Sequence, residues 1–217
     1  KMPESISMDR NLALEVVRVT EAAALAASRQ MGRGDEHAAD QVAVDAMRTA
    51  LNSLAIKGTV VIGEGERDEA PMLFIGEEVG LGEGPNIDIA LDPLEGTTIT
   101  AKGLTNALAV VAMAEEGGFL NSPDVYMDKI AVGIGLPDQI VDIDEEPKTN
   151  LKNLAQAKKV DVSDVVVCIL DRPRHEDLIA KVRDAGARIM LISDGDISAV
   201  MATSEAASGV DIYIGSG

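Results

Sequence analysis

A chain of 217 residues that is 46% hydrophobic can bury a sizeable core, as one large domain or two small ones. Its 37 acidic against 19 basic residues give a formal charge of -18, which repels phosphate polymers and argues against a nucleic-acid partner. No apolar run approaches the ~18 residues of a membrane span, the N-terminal stretch carries acids among its apolar positions unlike a signal peptide, and the lone Cys168 inside "VVVCIL" offers no disulfide framework.

The expectation is therefore a soluble protein of the reducing cytoplasm, with Cys168 as a small core residue. An acidic protein can still bind a phosphorylated metabolite where local cations or bound metal ions offset its field.

In chain order, Leu12, Val16, Val19, Ala23 and Ala26 recur at helical spacing, with Asp9 as N-cap and Gly32 as the stop. A second helix is expected over residues 35–56, with a stripe of Ala43, Met47, Ala50, Leu51 and Leu54 and Gly58 ending it. Asp40 falls on that stripe, whereas Asp45 points elsewhere. A carboxyl on an apolar stripe needs a partner; the plainer alternative is a first-turn residue still in solvent.

Short strands follow in "TVVIG", "NIDIAL", "NALAVVAM" and "KIAVGI", so the first part reads as two helices laid on a mostly β layer. The polar run "EEPKTN" at residues 145–150 marks a boundary between subdomains of 1–147 and 148–217. From residue 163 onward, strand "VVVCIL", helix "EDLIAKVRDAG", strand "ARIMLI", helix "ISAVMATSEA" and strand "VDIYI" make a βαβαβ unit with a parallel sheet. Ligands of such sheets bind beyond the carboxyl ends of the strands, which here read "DRPRH", "SDGD" and "GSG".

Acids also gather at strand ends in the first part. "TVVIG" runs into "EGERDEAP", which holds Glu64, Glu66, Asp68 and Glu69, and "NIDIAL" runs into "DPLEGTT", which holds Asp92 and Glu95. One such run alone is usually a solvated loop, but carboxylates brought together from several elements repel one another unless cations sit between them. Neither His37 nor His175 stands near another soft ligand, so oxygen-only ligation favours Mg2+ or Mn2+ over Zn2+. Pro93 stops the strand and aims Asp92 and Glu95, Gly96 lets backbone approach an anion, and Thr97 and Thr98 open the next segment with free N–H groups and hydroxyls. Metal ions held there can polarise a phosphoryl group and activate water, which fits phosphate ester hydrolysis.

These residues carry a resemblance. "DPLEGTT", "IGEGE" and the acid in "HAAD" resemble the lithium-sensitive, metal-dependent sugar phosphatase superfamily, and the ordered set "GRGDEHAADQVAVDAMR", "VIGEGERDEAPMLFIGEEVG", "PDVYMDKIAVG", "DRPRHEDLI" and "ISDGDISA" resembles class II fructose-1,6-bisphosphatase of the GlpX type. The resemblance implies a layered α-β-α-β-α sugar phosphatase fold of two subdomains, with mixed α/β (α+β) structure.

It further implies metal ligation by Asp40 and Glu64 at one site and by Asp92 and Glu95 at another, for Mg2+ or Mn2+. Glu95, Gly96 and Thr97 would meet the substrate phosphate, with Thr97 helping to activate the attacking water and Asp68 as its acidic partner. Tyr126, Arg172, Pro173 and Arg174, with Asp194, Gly195 and Asp196, would complete a sugar bisphosphate site.

Chemistry supports these placements: guanidinium groups bind a second phosphate, and Asp194 and Asp196 can accept from sugar hydroxyls. The plainer readings are a salt-bridged surface loop for the arginines, a helix N-cap for Asp194 or Asp196, and a packing residue for Tyr126.

The implied reaction is hydrolysis of the 1-phosphate of fructose 1,6-bisphosphate, with sedoheptulose 1,7-bisphosphate as a further substrate in cyanobacterial relatives, by an enzyme that commonly forms dimers or tetramers. The alternatives are an inositol- or nucleotide-monophosphatase-like enzyme, or a non-catalytic module binding a phosphorylated metabolite. Two departures stand out. Glu36 replaces a basic residue common in the family, and the family's chains continue past "IYIGSG" to a further acidic metal ligand, so a longer chain is expected.

Overall fold

The computed structural model describes residues 10–64, 72–120 and 125–217. The chain divides into two compact units, Lys1–Asp124 and Val125–Gly217. Among the described residues each carries a four-stranded mixed sheet with helices, which is the α/β (α+β) class expected from the sequence.

In the first unit, α1 (Arg10–Ser28) and α2 (Glu36–Leu51) pair with each other and cover a sheet of order β2-β1-β3-β4. Its strands are β1 (Lys57–Ile62), β2 (Glu78–Val79), β3 (Asn86–Glu95) and β4 (Leu108–Glu115). β1 and β3 run parallel, and β2 and β4 flank them antiparallel. The stripe on α1 is buried at Leu12, Val19, Ala23 and Ala27, with Ala26 at its half-buried margin. Asp9, the expected N-cap, lies outside the described residues. On α2, Ala43, Met47 and Leu51 are buried and Asp35 caps the first turn, its side chain accepting from the Ala38 N–H at 2.9 Å.

Two expectations are corrected here. α2 ends at Leu51, and Gly58 is a strand residue rather than a helix stop: a Cβ there would lie 2.8 Å from Ile89 Cδ1 and 2.9 Å from Val79 Cγ2, so only glycine lets the sheet close around β1. "KIAVGI" belongs to the other sheet, as β5 (Asp128–Val132), because it pairs along its whole length with the last strand.

The second unit contains β5, α4 (Pro147–Lys158), β6 (Val166–Leu170), a 3-10 turn Pro173–His175, α5 (Glu176–Asp184), β7 (Arg188–Ile192), α6 (Asp196–Ala202) and β8 (Ile212–Ser216). The sheet order is β5-β8-β6-β7, with β8, β6 and β7 parallel as the βαβαβ pattern requires and β5 antiparallel on β8. Alternation divides the strands between two cores. Val167, Ile169 and Ile212 pack in one with Leu151, Leu154 and Val182 of α4 and α5, while Cys168 and Tyr213 pack in the other with Ala199 of α6.

The two compact units divide between Asp124 and Val125, whereas the sequence suggests a subdomain boundary at 147/148. The proline of "EEPKTN" is the first helical residue of α4, where a missing N–H is no loss. Asn150, 3% exposed, then ties the preceding loop down: its Oδ1 accepts from the Asp142 N–H at 2.9 Å and its Nδ2 donates to the Asp142 carbonyl at 2.8 Å.

Candidate active site

β3 does not end at its proline. It continues to Glu95, with a register slip in which Asp92 faces Val110 and Glu95 faces Leu108 on β4. Three steps on one strand oppose two on the other, so the stretch between Asp92 and Glu95 is a β-bulge, and Pro93 occupies the place where the ladder needs no donor. The Asp92 carboxylate accepts from the Leu94 N–H at 3.0 Å, which fixes the bulge from within. The proline thus aims the two acids by bending the strand rather than by stopping it.

Beyond the bulge Glu95 is buried at 8% exposure, and Gly96 takes φ 106° as N-cap of the five-residue helix α3 (Thr97–Ala101). A Cβ at Gly96 would lie 2.8 Å from Ile99 side-chain atoms and 3.3 Å from the Ala107 Cα, so the position excludes a side chain by both conformation and space. Thr97, half-buried, opens α3. The other end of α3 anchors the turn before α2: the Gly32 N–H donates to the Thr100 carbonyl at 3.0 Å and the Gly34 N–H to the Ala101 carbonyl at 2.9 Å. These bonds hold the start of α2, and with it Asp40, to the "DPLEGTT" segment.

Asp40 is half-buried as its stripe position predicts, and burial raises its pKa, opposed by the charge of His37. Glu64, just past β1, is pushed up to about 8, first by burial and then by the negative charges of Asp40 and Asp92. Its Oε2 is buried without a hydrogen-bond partner among the described residues. Glu64, just past β1, thus lies within electrostatic reach of Asp40 on α2 and of Asp92 at the bulge of β3.

An all-oxygen donor set with a buried, unsatisfied carboxylate oxygen and mutual repulsion fits a hard divalent cation, which would relieve both defects. Among the described residues no three His, Cys, Asp or Glu side chains converge into a preformed metal shell. Asp68, with Glu66 and Glu69, lies outside the described residues.

In the second unit the strand-end loops bring part of the expected set together. Arg174 stacks its guanidinium on Tyr126, 4.4 Å from the ring centroid, and donates through Nε to the Ser216 carbonyl at 2.9 Å. Tyr126 is 71% exposed, so it is no core-packing residue. Arg172 precedes the 3-10 turn that Pro173 begins, and donates to its neighbour's carbonyl, that of Asp171, at 3.3 Å. Neither arginine is in a salt bridge among the described residues.

Gly195, at φ 87°, is the residue that caps α6, so neither Asp194 nor Asp196 is the N-cap. Asp196 opens that helix, and its Oδ2 takes Lys129 Nζ at 2.6 Å and the Tyr213 hydroxyl at 3.4 Å. Burial first, then the Asp196 charge, raise the Tyr213 pKa and keep its phenol protonated as a donor.

Lys129, Tyr213 and His175 are the neighbours that sequence reasoning missed. A lysine next to the aspartate that opens the strand "DKIAV" and a tyrosine inside "IYI" were the available signals.

The sequence profile of the family described as bacterial fructose-1,6-bisphosphatase, glpX-encoded, matches residues 10–217. The D-fructose 1,6-bisphosphatase class 2/sedoheptulose 1,7-bisphosphatase of Synechococcus sp. (strain JA-2-3B'a(2-13)) is 48% identical over 225 residues, covering 97% of this chain and 64% of its own length. Fructose-1,6-bisphosphatase 1 class 2 of Escherichia coli (strain K12) is 50% identical over 210 residues, covering 97% of this chain and 62% of its own. The chain therefore spans less than two thirds of the length of these curated relatives.

Proposed function

The chain belongs to the bacterial, glpX-encoded fructose-1,6-bisphosphatase family, and from that premise we propose that its protein is a metal-dependent phosphatase hydrolysing the 1-phosphate of fructose 1,6-bisphosphate. The observation that carries the reading is the electrostatic coupling of Asp40, Glu64 and Asp92 beside the bulge that sets Glu95 and Gly96. Such a site favours a cation, and the left-handed φ of Gly96 sets the turn that opens α3 beside it.

In this reading Asp40 and Glu64 hold one ion and Asp92 and Glu95 another. Bound Mg2+ or Mn2+ would supply Lewis-acid polarisation of the phosphoryl group and lower the pKa of water. Gly96 presents backbone to the phosphate, Thr97 orients the attacking water through its hydroxyl, and Asp68 accepts the proton. Arg172 and Arg174 bind the far phosphate, with Pro173 fixing the turn between them, and Tyr126 lies against the Arg174 guanidinium. Asp194 and Asp196, separated by Gly195, meet sugar hydroxyls.

The paired arginines favour a bisphosphate over an inositol or nucleotide monophosphate. Sedoheptulose 1,7-bisphosphate is a second candidate, since the cyanobacterial relative's name includes it. Cytoplasmic placement and assembly into a dimer or tetramer belong to the same proposal; among the described residues no helix is long and apolar enough to cross a membrane.

The test is phosphate release by full-length protein from fructose 1,6-bisphosphate, sedoheptulose 1,7-bisphosphate and inositol monophosphate, each with Mg2+, Mn2+ or chelator. Turnover of a bisphosphate only with metal is expected, and no release from fructose 1,6-bisphosphate under any metal overturns the reading.

A further inference from the structure

β8 outruns its neighbour. Its pairing with β6 covers Val167↔Ile212 and Cys168↔Tyr213, and β6 stops at Leu170, whereas β8 continues to Ser216. On its other side, β8 meets β5 in an antiparallel ladder. Just beyond the two strands, Met127 and Gly217 exchange both backbone bonds, at 3.3 and 3.2 Å. In an antiparallel ladder the pair next to a hydrogen-bonded one is not hydrogen-bonded. Asp128↔Ser216 is that pair, so the N–H and C=O of Ser216 point away from β5, to the side that β6 no longer covers.

Two consecutive side chains of the loop after β6 take those groups. Arg174 Nε donates to the Ser216 carbonyl at 2.9 Å, and the Ser216 N–H donates to His175 Nε2 at 2.8 Å. His175 is 3% exposed, and its Nδ1 lies 2.8 Å from the Leu170 carbonyl. Because Nε2 accepts, the proton sits on Nδ1 and is donated to Leu170: the imidazole is one neutral tautomer, bonded at both ends. It joins the end of β6 to the end of β8, while the adjacent arginine grips the same residue from its carbonyl side and lays its guanidinium on Tyr126.

We propose that His175 is a positioning residue for Arg174: by accepting from the Ser216 N–H it orients the Ser216 carbonyl that fixes the guanidinium over Tyr126, and so sets affinity for the phosphate of the substrate remote from the scissile bond. The inference rests on the proposed role of Arg174 as a phosphate ligand. His175 itself touches neither substrate nor metal in this scheme.

The test separates the two bonds of the ring. In His175→Gln the side-chain carbonyl reaches the Nε2 position and still accepts from Ser216, whereas in His175→Asn the amide reaches only the Nδ1 position and keeps the Leu170 bond alone. In full-length protein with saturating metal, His175→Asn should raise KM for fructose 1,6-bisphosphate about tenfold with kcat nearly unchanged. His175→Gln should restore KM to within about twofold of the unsubstituted protein, although each variant has lost one buried hydrogen bond.

Equal KM changes in the two variants, or no change in either, overturn the inference. Should His175→Asn fail to fold, Ser216→Pro removes the same bond from the other partner, and the same rise in KM is expected of it; unchanged KM there overturns the inference too. Arg174→Ala separates this inference from its premise: if Arg174→Ala leaves KM unchanged, the phosphate-ligand reading falls, whereas if it raises KM and the Asn and Gln variants behave alike, only the role of His175 falls.

Discussion

Glu64 makes the stability of the fold depend on pH in a direction opposite to that of an ordinary surface acid. Its pKa rises from 4.5 to about 8, chiefly through burial and secondly through Asp40 and Asp92. A carboxyl whose folded pKa lies above its unfolded one holds its proton more tightly when folded. Its stabilisation is therefore complete below about pH 4.5 and is lost as the pH rises through 8.

At pH 7, about 2.5 pH units above the unfolded pKa of 4.5, about 3 kcal/mol of that stabilisation has been lost at about 1.36 kcal/mol per unit, and screening by the water that still reaches the carboxyl brings the loss to about 2 kcal/mol. Against a total stability of about 5–15 kcal/mol that is a shift of several degrees in Tm. Chelator-treated full-length protein should thus melt at falling temperature from pH 5 to pH 8. Mg2+ or Mn2+ should reverse the fall, most at the upper end, because a cation competes with the proton for the same oxygens. Glu64→Gln keeps the shape and cannot ionise, so it should flatten the slope; Asp40, raised in the same sense by burial, retains the remainder. An unchanged slope in Glu64→Gln, or an undiminished metal-induced shift, refutes the reasoning.

Gly96→Ala forces a left-handed φ on alanine and drives its Cβ against Ile99 and the Ala107 backbone, which should destabilise the protein by about 2–4 kcal/mol in urea unfolding; a change below about 0.5 kcal/mol would show that the bulge tolerates a side chain. Thr97→Ala should abolish most phosphate release while leaving the metal-induced rise in Tm in place, and parallel loss of both would make Thr97 structural. Cys168, 1% exposed and raised to about 11 by burial, should resist thiol reagents in native protein and react in denaturant; rapid native labelling would contradict its burial.

What the sequence made legible is local periodicity and chemistry. The stripe on α2 made Asp40 half-buried, and the βαβαβ pattern yielded the parallel strands β6, β7 and β8, since each follows from spacing of 3.6 or 2 along one element. What failed depends on partners distant in the chain. Gly58 reads as a helix stop until Ile89 and Val79 close on it. β5 reads as part of the first sheet until β8, more than eighty positions on, pairs with it. Pro93 is instructive in another way. Its effect was anticipated, its mechanism was not, because a bulge is a property of two strands and only one is visible in "NIDIALDPLE".

The two candidate clusters share one cause. In the first unit β3 runs on past Ala90, the last residue paired with β1, and in the second β8 runs on past Tyr213, the last paired with β6. A strand that outlasts its neighbour exposes a row of backbone donors and acceptors that must be satisfied some other way. At β3 the chain answers from within, with the Leu94 N–H donating to the Asp92 carboxylate and a proline that has no donor to satisfy. At β8 it answers from the next loop, with Arg174 and His175 on the two sides of Ser216. In each case a charged or titratable side chain is hydrogen-bonded to backbone at the end of the longer strand. Such placement suits the proposed phosphate chemistry, which gains little from covalent participation by the protein and much from charges and donors already in place.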